Sequence, residues 1–150
     1  MARQRKRKKQ SGIVYFAVNH RIKGMVKIGK TVESADKRLE YANKTNPFMC
    51  GRWSITQKVK TNGVDRTEEL AHQLFADFHD KESVSKEMFF IPEGMTVKNM
   101  ADLVRKKDVV YKKIKEEESQ LQEELLKKKK KLAKVTEANK KEIFDISKNN

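Results

Sequence analysis

Two apolar runs, Ile13 to Val18 and Met25 to Ile28, flank a loop holding His20, Arg21 and Gly24. Both are rich in β-formers and lie close enough to pair as a hairpin. Arg52 to Lys60 repeats the strand signal, with Trp53, Ile55 and Val59 at period-two positions. Between them, Ser34 can cap a short helix through Arg38 and Leu39 to about Asn43, stopping before Asn46-Pro47. Asp65 with Glu68 three residues on forms a capping-box-like start for a helix to about His79, with Leu70, Leu74, Phe75 and Phe78 as its apolar stripe. Met88 to Pro92 reads as a last short strand. The order β-β-α-β-α-β predicts an α+β fold, a small, mostly antiparallel sheet flanked by helices.

The pattern changes at Met95, after which neither glycine nor proline occurs. Val110, Leu121, Leu132 and Ile143 recur every 11 residues, and Leu103, Ile114 and Leu125 form a second row with the same step. That period is about 3.67 residues per turn, so both rows stay on one face of a helix with little supercoiling. The spacing predicts one helix over 98–146, with Glu123–Lys127, Glu124–Lys128 and Glu137–Lys141 as supporting pairs four residues apart. Such a helix is read as a solvated rod with a self-association seam, a coiled coil, or as a basic rail along a nucleic-acid backbone. The two readings coexist.

Charge then divides the chain. The net charge is +14. Residues 1–10 hold six basic and no acidic side chains, residues 11–100 hold 14 basic against 11 acidic, and residues 101–150 hold 15 against 10. Three segments follow: a disordered basic arm over 1–10, a folded domain over 11–94 and a long charged helix over 95–150. A surface this basic favours a polyanionic partner through phosphate neutralisation and counterion release. The expected contacts are Arg3, Arg5, Lys6, Arg7, Lys8 and Lys9 in the arm, Lys30 in the domain, and Lys127, Lys128, Lys129, Lys130 and Lys131 in the helix. The single cysteine, Cys50, excludes an intrachain disulfide framework and a cysteine zinc cluster. Ile13 to Val18 is too short for a signal-peptide core or a membrane span, so no membrane partner is expected. The expected location is cytoplasmic and nucleoid-associated, or nuclear if the source has a nucleus.

Five stretches in order, GIVYF, VKIGKT, ADKRLEYANKTNP, EELAHQLF and KEMFFI, resemble the GIY-YIG nuclease superfamily over about residues 12–91. They are most similar to its phage-type branch, the phage T-five orf-172-like or meiotically up-regulated gene 113 kind, whose second motif reads KIG. The resemblance implies a metal-dependent phosphodiesterase or DNA-binding domain on a small sheet flanked by helices. Residue by residue, it gives Tyr15 the place of the first-motif tyrosine and puts Lys27 where the second motif often has a tyrosine. Gly29 closes that motif, and Arg38 matches the arginine of the first helix. Glu68 matches the metal-binding glutamate of the second helix, with Glu69 as a register alternative, and His72 the histidine four residues later. Glu87 and Phe89 match the closing motif.

The chemistry needs such a set independently. Hydrolysing a phosphodiester calls for a base near the attacking water, a cation for charge on the phosphorane and a group to stabilise the leaving oxygen. A tyrosine works as a base at neutral pH only with a cation beside it, a part Lys27 can take. Arg38 can clamp a phosphate with its fork of donors. A single carboxylate, Glu68, completed by phosphate oxygens and water, suits one Mg2+ or Mn2+ better than zinc. Each residue also has a plainer reading: Tyr15 as strand packing, Lys27 and Arg38 as solvated charges, Glu68 as a helix cap and Trp53 as core. Glu68, His72 and His79 fall on one stripe of a helical wheel, either a metal or phosphate face or simply the polar side of the helix.

Three positions depart from the pattern. Typical members place a histidine or tyrosine four residues after the helix arginine, where this chain has Ala42, with Tyr41 one residue early. His79 stands where the branch often has an arginine, and Met88 where it has a tryptophan. The expectation is a DNA-binding, metal-dependent endonuclease, with RNA as an alternative substrate. The competing expectation is a weak or inactive relative that binds or scaffolds nucleic acid through its basic arms and long helix.

Overall fold

The computed structural model describes residues 10–45 and 51–149. The expected basic arm, the Asn46-Pro47 stop and Cys50 fall outside them, apart from Gln10. Two units are distinguished, Met1–Tyr111 and Lys112–Asn150.

In the first unit, β1 (Gly12–Asn19) and β2 (Ile22–Thr31) form the expected hairpin, but the loop is only His20 and Arg21. Asn19 Oδ1 accepts the Arg21 amide at 3.0 Å, a side-chain turn that closes it. Gly24 instead lies within β2, at φ +77°, where its carbonyl accepts the Ile91 amide at 2.8 Å. With β3 (Trp53–Thr61) and β4 (Met88–Phe90) the hairpin makes a four-stranded sheet in the order β3-β1-β2-β4. All three strand pairings are antiparallel. The fold is the expected α+β arrangement.

Strand alternation sends Val14, Phe16, Val26 and Ile28 to one face, where they bury against Val64, Ala71 and Phe75 of the helical region that follows β3. Tyr15, Ala17 and Met88 go to the other, against Ala35 and Leu39 of α1 (Ala35–Thr45). The period-two pattern expected across Trp53, Ile55 and Val59 is broken. Phe16 opposes Gln57 but Ala17 opposes Ile55, so Thr56 is an extra residue, and its hydroxyl donates to the Phe16 carbonyl at 3.1 Å. This bulge leaves Trp53 and Ile55 on the α1 face and turns Val59 to the other.

Helix α2 (Val64–Leu74) starts one residue before Asp65, with Gly63 at its cap and no side-chain capping bond. Asp65 is therefore not the expected cap. The Val64 amide is met by the Gln10 carbonyl at 2.9 Å. The helix also stops short of His79, giving way to a 3-10 turn at Ala76–Phe78, and Phe78 of the expected stripe is exposed. His79 thus leaves the wheel shared by Glu68 and His72.

Helix α3 (Val97–Lys148) is the long helix expected. Its start is a reciprocal cap: the Thr96 amide donates to Asn99 Oδ1 at 3.0 Å and the Asn99 amide to Thr96 Oγ1 at 3.1 Å. Met100, Ala101 and Val104 are fully buried in the core with Phe16 and Phe89, although the sequence places the domain boundary before them. Arg66 of α2 reaches Asp108 at 3.3 Å, and the Thr67 hydroxyl meets the same carboxylate at 3.0 Å. In the second unit, every residue from Glu117 to Asn149 is exposed.

Candidate phosphate-binding cleft

The α1 face of the sheet carries a cleft of about 800 Å3 whose walls include Tyr15, Lys27, Arg38, Tyr41, Trp53 and Met88. Each arrives for a local reason. Tyr15 and Lys27 occupy strand positions whose side chains alternate onto this face, and Arg38 stands in the first turn of α1, its amide reaching the Ser34 carbonyl at 3.2 Å. Trp53 is fixed by Asn43 of α1, whose side-chain amide donates to the Trp53 carbonyl at 3.1 Å and accepts the Trp53 amide at 2.9 Å. Ala42 also lines the cleft, and so does Tyr41, one residue early in the sequence pattern yet on the right surface.

A carboxylate belongs to this group. Glu87 Oε2 lies 3.2 Å from Lys27 Nζ, both side chains being about one-third exposed or less. The Glu87 carbonyl accepts the Ile28 amide at 2.8 Å, which seats the residue at the edge of β2 just before β4 begins. Tyr15 and Glu87 share the space a side chain at Gly29 would fill. A Cβ there would stand 2.6 Å from the Tyr15 hydroxyl and 3.2 Å from Glu87 Oε2. Glu87 was visible in the sequence only through its match to the closing motif. Its pairing with Lys27 needs the β2–β4 register, which no local pattern states.

The carboxylate expected to hold a metal lies elsewhere. Lys30, two residues past Ile28 and so on the α2 face, places its Nζ 2.7 Å from Glu68 Oε2 and 2.8 Å from Asp65 Oδ1. The two acids, Asp65 foremost, raise the Lys30 ammonium above its ordinary range against a smaller opposing effect of burial. Lys30 is thus an internal counterion here. Glu69, the register alternative, is exposed and engaged by Gln73 Nε2 at 3.4 Å. His72 Nε2 donates to the Ile28 carbonyl at 3.0 Å, at the stretch of β2 edge where β4 has not yet begun. Its ring lies 5.1 Å from that of Phe89, with His79 5.3 Å away and edge-on to the same ring. The two histidines share a partner, Phe89, although they do not share a helix.

So Tyr15, Lys27 and Arg38 come together, joined by Glu87, whereas Glu68 and His72 stand on α2 and do not line the cleft. Among the described residues, no group of three or more His, Cys, Asp or Glu is placed to hold a metal ion. Lys127 to Lys131 are exposed, but five consecutive helical residues at about 100° each encircle the axis and do not form a one-sided rail. No helix among the described residues is long and apolar enough to cross a membrane.

Residues 12–107 match the family model of the T5orf172 domain. The match extends past residue 91 into α3, which accords with the burial of Met100, Ala101 and Val104. Searches of curated proteins and of solved structures return no match.

Proposed function

We propose that this chain, which belongs to the T5orf172 domain family, is a nucleic-acid-binding endonuclease that takes the phosphodiester of DNA into the cleft on the α1 face. The observation that carries this reading is the convergence of Tyr15, Lys27 and Arg38 on one cleft, with Glu87 against Lys27. Arg38, exposed at the mouth, clamps the phosphate, and Lys27 offsets charge that builds on its oxygens. Tyr15 orients the attacking water, with Glu87, which meets it above Gly29, to accept the proton. The net charge of +14 adds salt-sensitive affinity that does not depend on sequence.

Asp65 and Glu68 are hard oxygen donors that already converge on one cation, the Lys30 ammonium, and this donor chemistry suits Mg2+ or Mn2+. A divalent ion held there, chiefly by Glu68, would stand on the α2 face and not against a phosphate in the cleft, where Lys27 and Arg38 supply the positive charge.

Two observations favour a second reading, a domain that binds nucleic acid without cutting it. Glu68 is engaged by Lys30 and lies outside the cleft, and Ala42 fills the position where typical members carry a histidine or tyrosine.

Supercoiled plasmid and a labelled duplex, incubated with Mg2+, Mn2+ or EDTA, separate the two. Nuclease action in the cleft predicts nicking by the wild type, lost in Arg38→Ala and reduced in Glu87→Gln, while loss in Glu68→Ala and with EDTA would bring a metal on Glu68 into the reaction. Gel shifts without nicking, equal in all proteins, would establish the binding reading and place the affinity outside the cleft.

A further inference from the structure

The last unit of the chain presents an apolar face together with a charge pattern that selects its partner. Ile114, Leu121, Leu125 and Leu132 are 45%, 65%, 54% and 67% exposed. At about 100° per residue they fall within roughly 40° of one another, forming one narrow stripe. Glu117 and Lys128 lie along one border of that stripe, Glu118 and Lys129 along the other. Each acid precedes its base by one 11-residue repeat, so acid and base occupy equivalent positions in successive repeats.

Those positions discriminate between ways of covering the stripe. In a parallel, in-register pair of two such helices the opposite borders face each other, so Lys128 meets Lys129 of the second copy and Glu117 meets Glu118, a like-charge arrangement at every repeat. Turning one helix end for end about a two-fold near residue 123 reverses this. Leu121 then packs against Leu125 of the second copy and Ile114 against Leu132, while Glu117 faces Lys128 and Glu118 faces Lys129. A two-fold keeps each border with its own counterpart, so both acid–base pairs form twice. Glu118 is held at present by Lys115 at 3.4 Å, an exposed pair that costs little to exchange.

We propose that residues 112–136 form an antiparallel helical pair with the same segment of a second copy of this chain. The layers from Ile114 to Leu132 overlap over roughly 27 Å, at about 1.5 Å per residue. This assignment is independent of whether the cleft cuts phosphodiesters.

The test uses the full chain, treated with nuclease to remove bound nucleic acid, in sedimentation and light scattering at moderate salt. The wild type should give twice the monomer mass. Glu117→Lys/Glu118→Lys and Lys128→Glu/Lys129→Glu should each weaken association at least tenfold, because each makes both borders uniformly charged. Mixing the two variants should restore a dimer, and so should all four changes in one chain. Orientation is read from Ile114→Cys and Leu132→Cys in a Cys50→Ala background: the mixture should cross-link while neither variant links to itself. A monomeric nuclease-treated wild type, undiminished association of the charge variants, or self-linking of Ile114→Cys would each overturn the proposal. Mass that disappears only with nucleic-acid removal would assign the stripe to a nucleic-acid-bridged assembly and overturn it as well.

Discussion

The Lys30 ammonium lies 2.7 Å from Glu68 Oε2, a carboxylate whose side chain is only 12% exposed. The residue with the strongest sequence case as a metal ligand is thus neutralised by a lysine two positions along β2 from Ile28. Any divalent ion at Glu68 competes with a tethered cation.

Lys30→Met should lower stability by on the order of 1 kcal/mol, since Lys30 is 40% exposed but leaves a largely buried carboxylate without its partner. Asp65 and Glu68 raise the Lys30 pKa above 10.5. A group whose folded-state value is raised stabilises fully below its unfolded value and loses that contribution as pH climbs through the folded one. The difference between wild type and variant, followed by chemical denaturation, should therefore hold steady from about pH 7 to pH 9 and shrink above about pH 10.5. A difference that instead grew with alkalinity would mean the pair opposes folding.

Gly29→Ala places a methyl 2.6 Å from the Tyr15 hydroxyl and 2.7 Å from its Cζ. Tyr15 is 4% exposed and packed with Ala17, Ala35 and Met88, so moving it aside is expected to cost about 1–3 kcal/mol. Nucleic-acid affinity should fall with it. Thermal denaturation and a gel shift together check this, and an unchanged variant would show that Tyr15 swings aside freely.

His72→Ala removes the donor to the Ile28 carbonyl and a ring that contacts Phe89. The expected cost is roughly 1–3 kcal/mol, from an edge carbonyl without its bond and a lost packing contact. His72→Gln keeps a donor and should recover part of it. Should both variants match wild type in denaturant, solvent is replacing the bond.

Met100→Ala should cost about 2–5 kcal/mol, because the side chain is fully buried in the core. A chain ending after Tyr111 should keep one cooperative unfolding transition, whereas one ending after Met95 should lose it. Circular dichroism during urea titration distinguishes them.

Most of the fold was legible because each strand and helix carries a local signal: alternation in β1 and β2, and an 11-residue period in α3. The misreadings share a cause. Asp65 looked like a cap, but its carboxylate is drawn to Lys30 across the fold. Phe78 looked like core until α2 tightened into a 3-10 turn. The ordered motifs pointed to Tyr15, Lys27 and Arg38, which the structure places in one cleft. The separation of Glu68 from them, and the pairing of Glu87 with Lys27, depend on which strand face each element covers. Sequence spacing carries no record of that.

Thr56, the extra residue in β3, lets one strand answer to two masters. Upstream of it, Trp53 and Ile55 serve the cleft layer; downstream, Val59 serves the opposite core. Deleting Thr56 would restore simple alternation and force one half of the strand to face the wrong way. Retaining it uncouples the two halves, so a change at Trp53 or Ile55 alters the cleft wall without turning Val59 out of the opposite core.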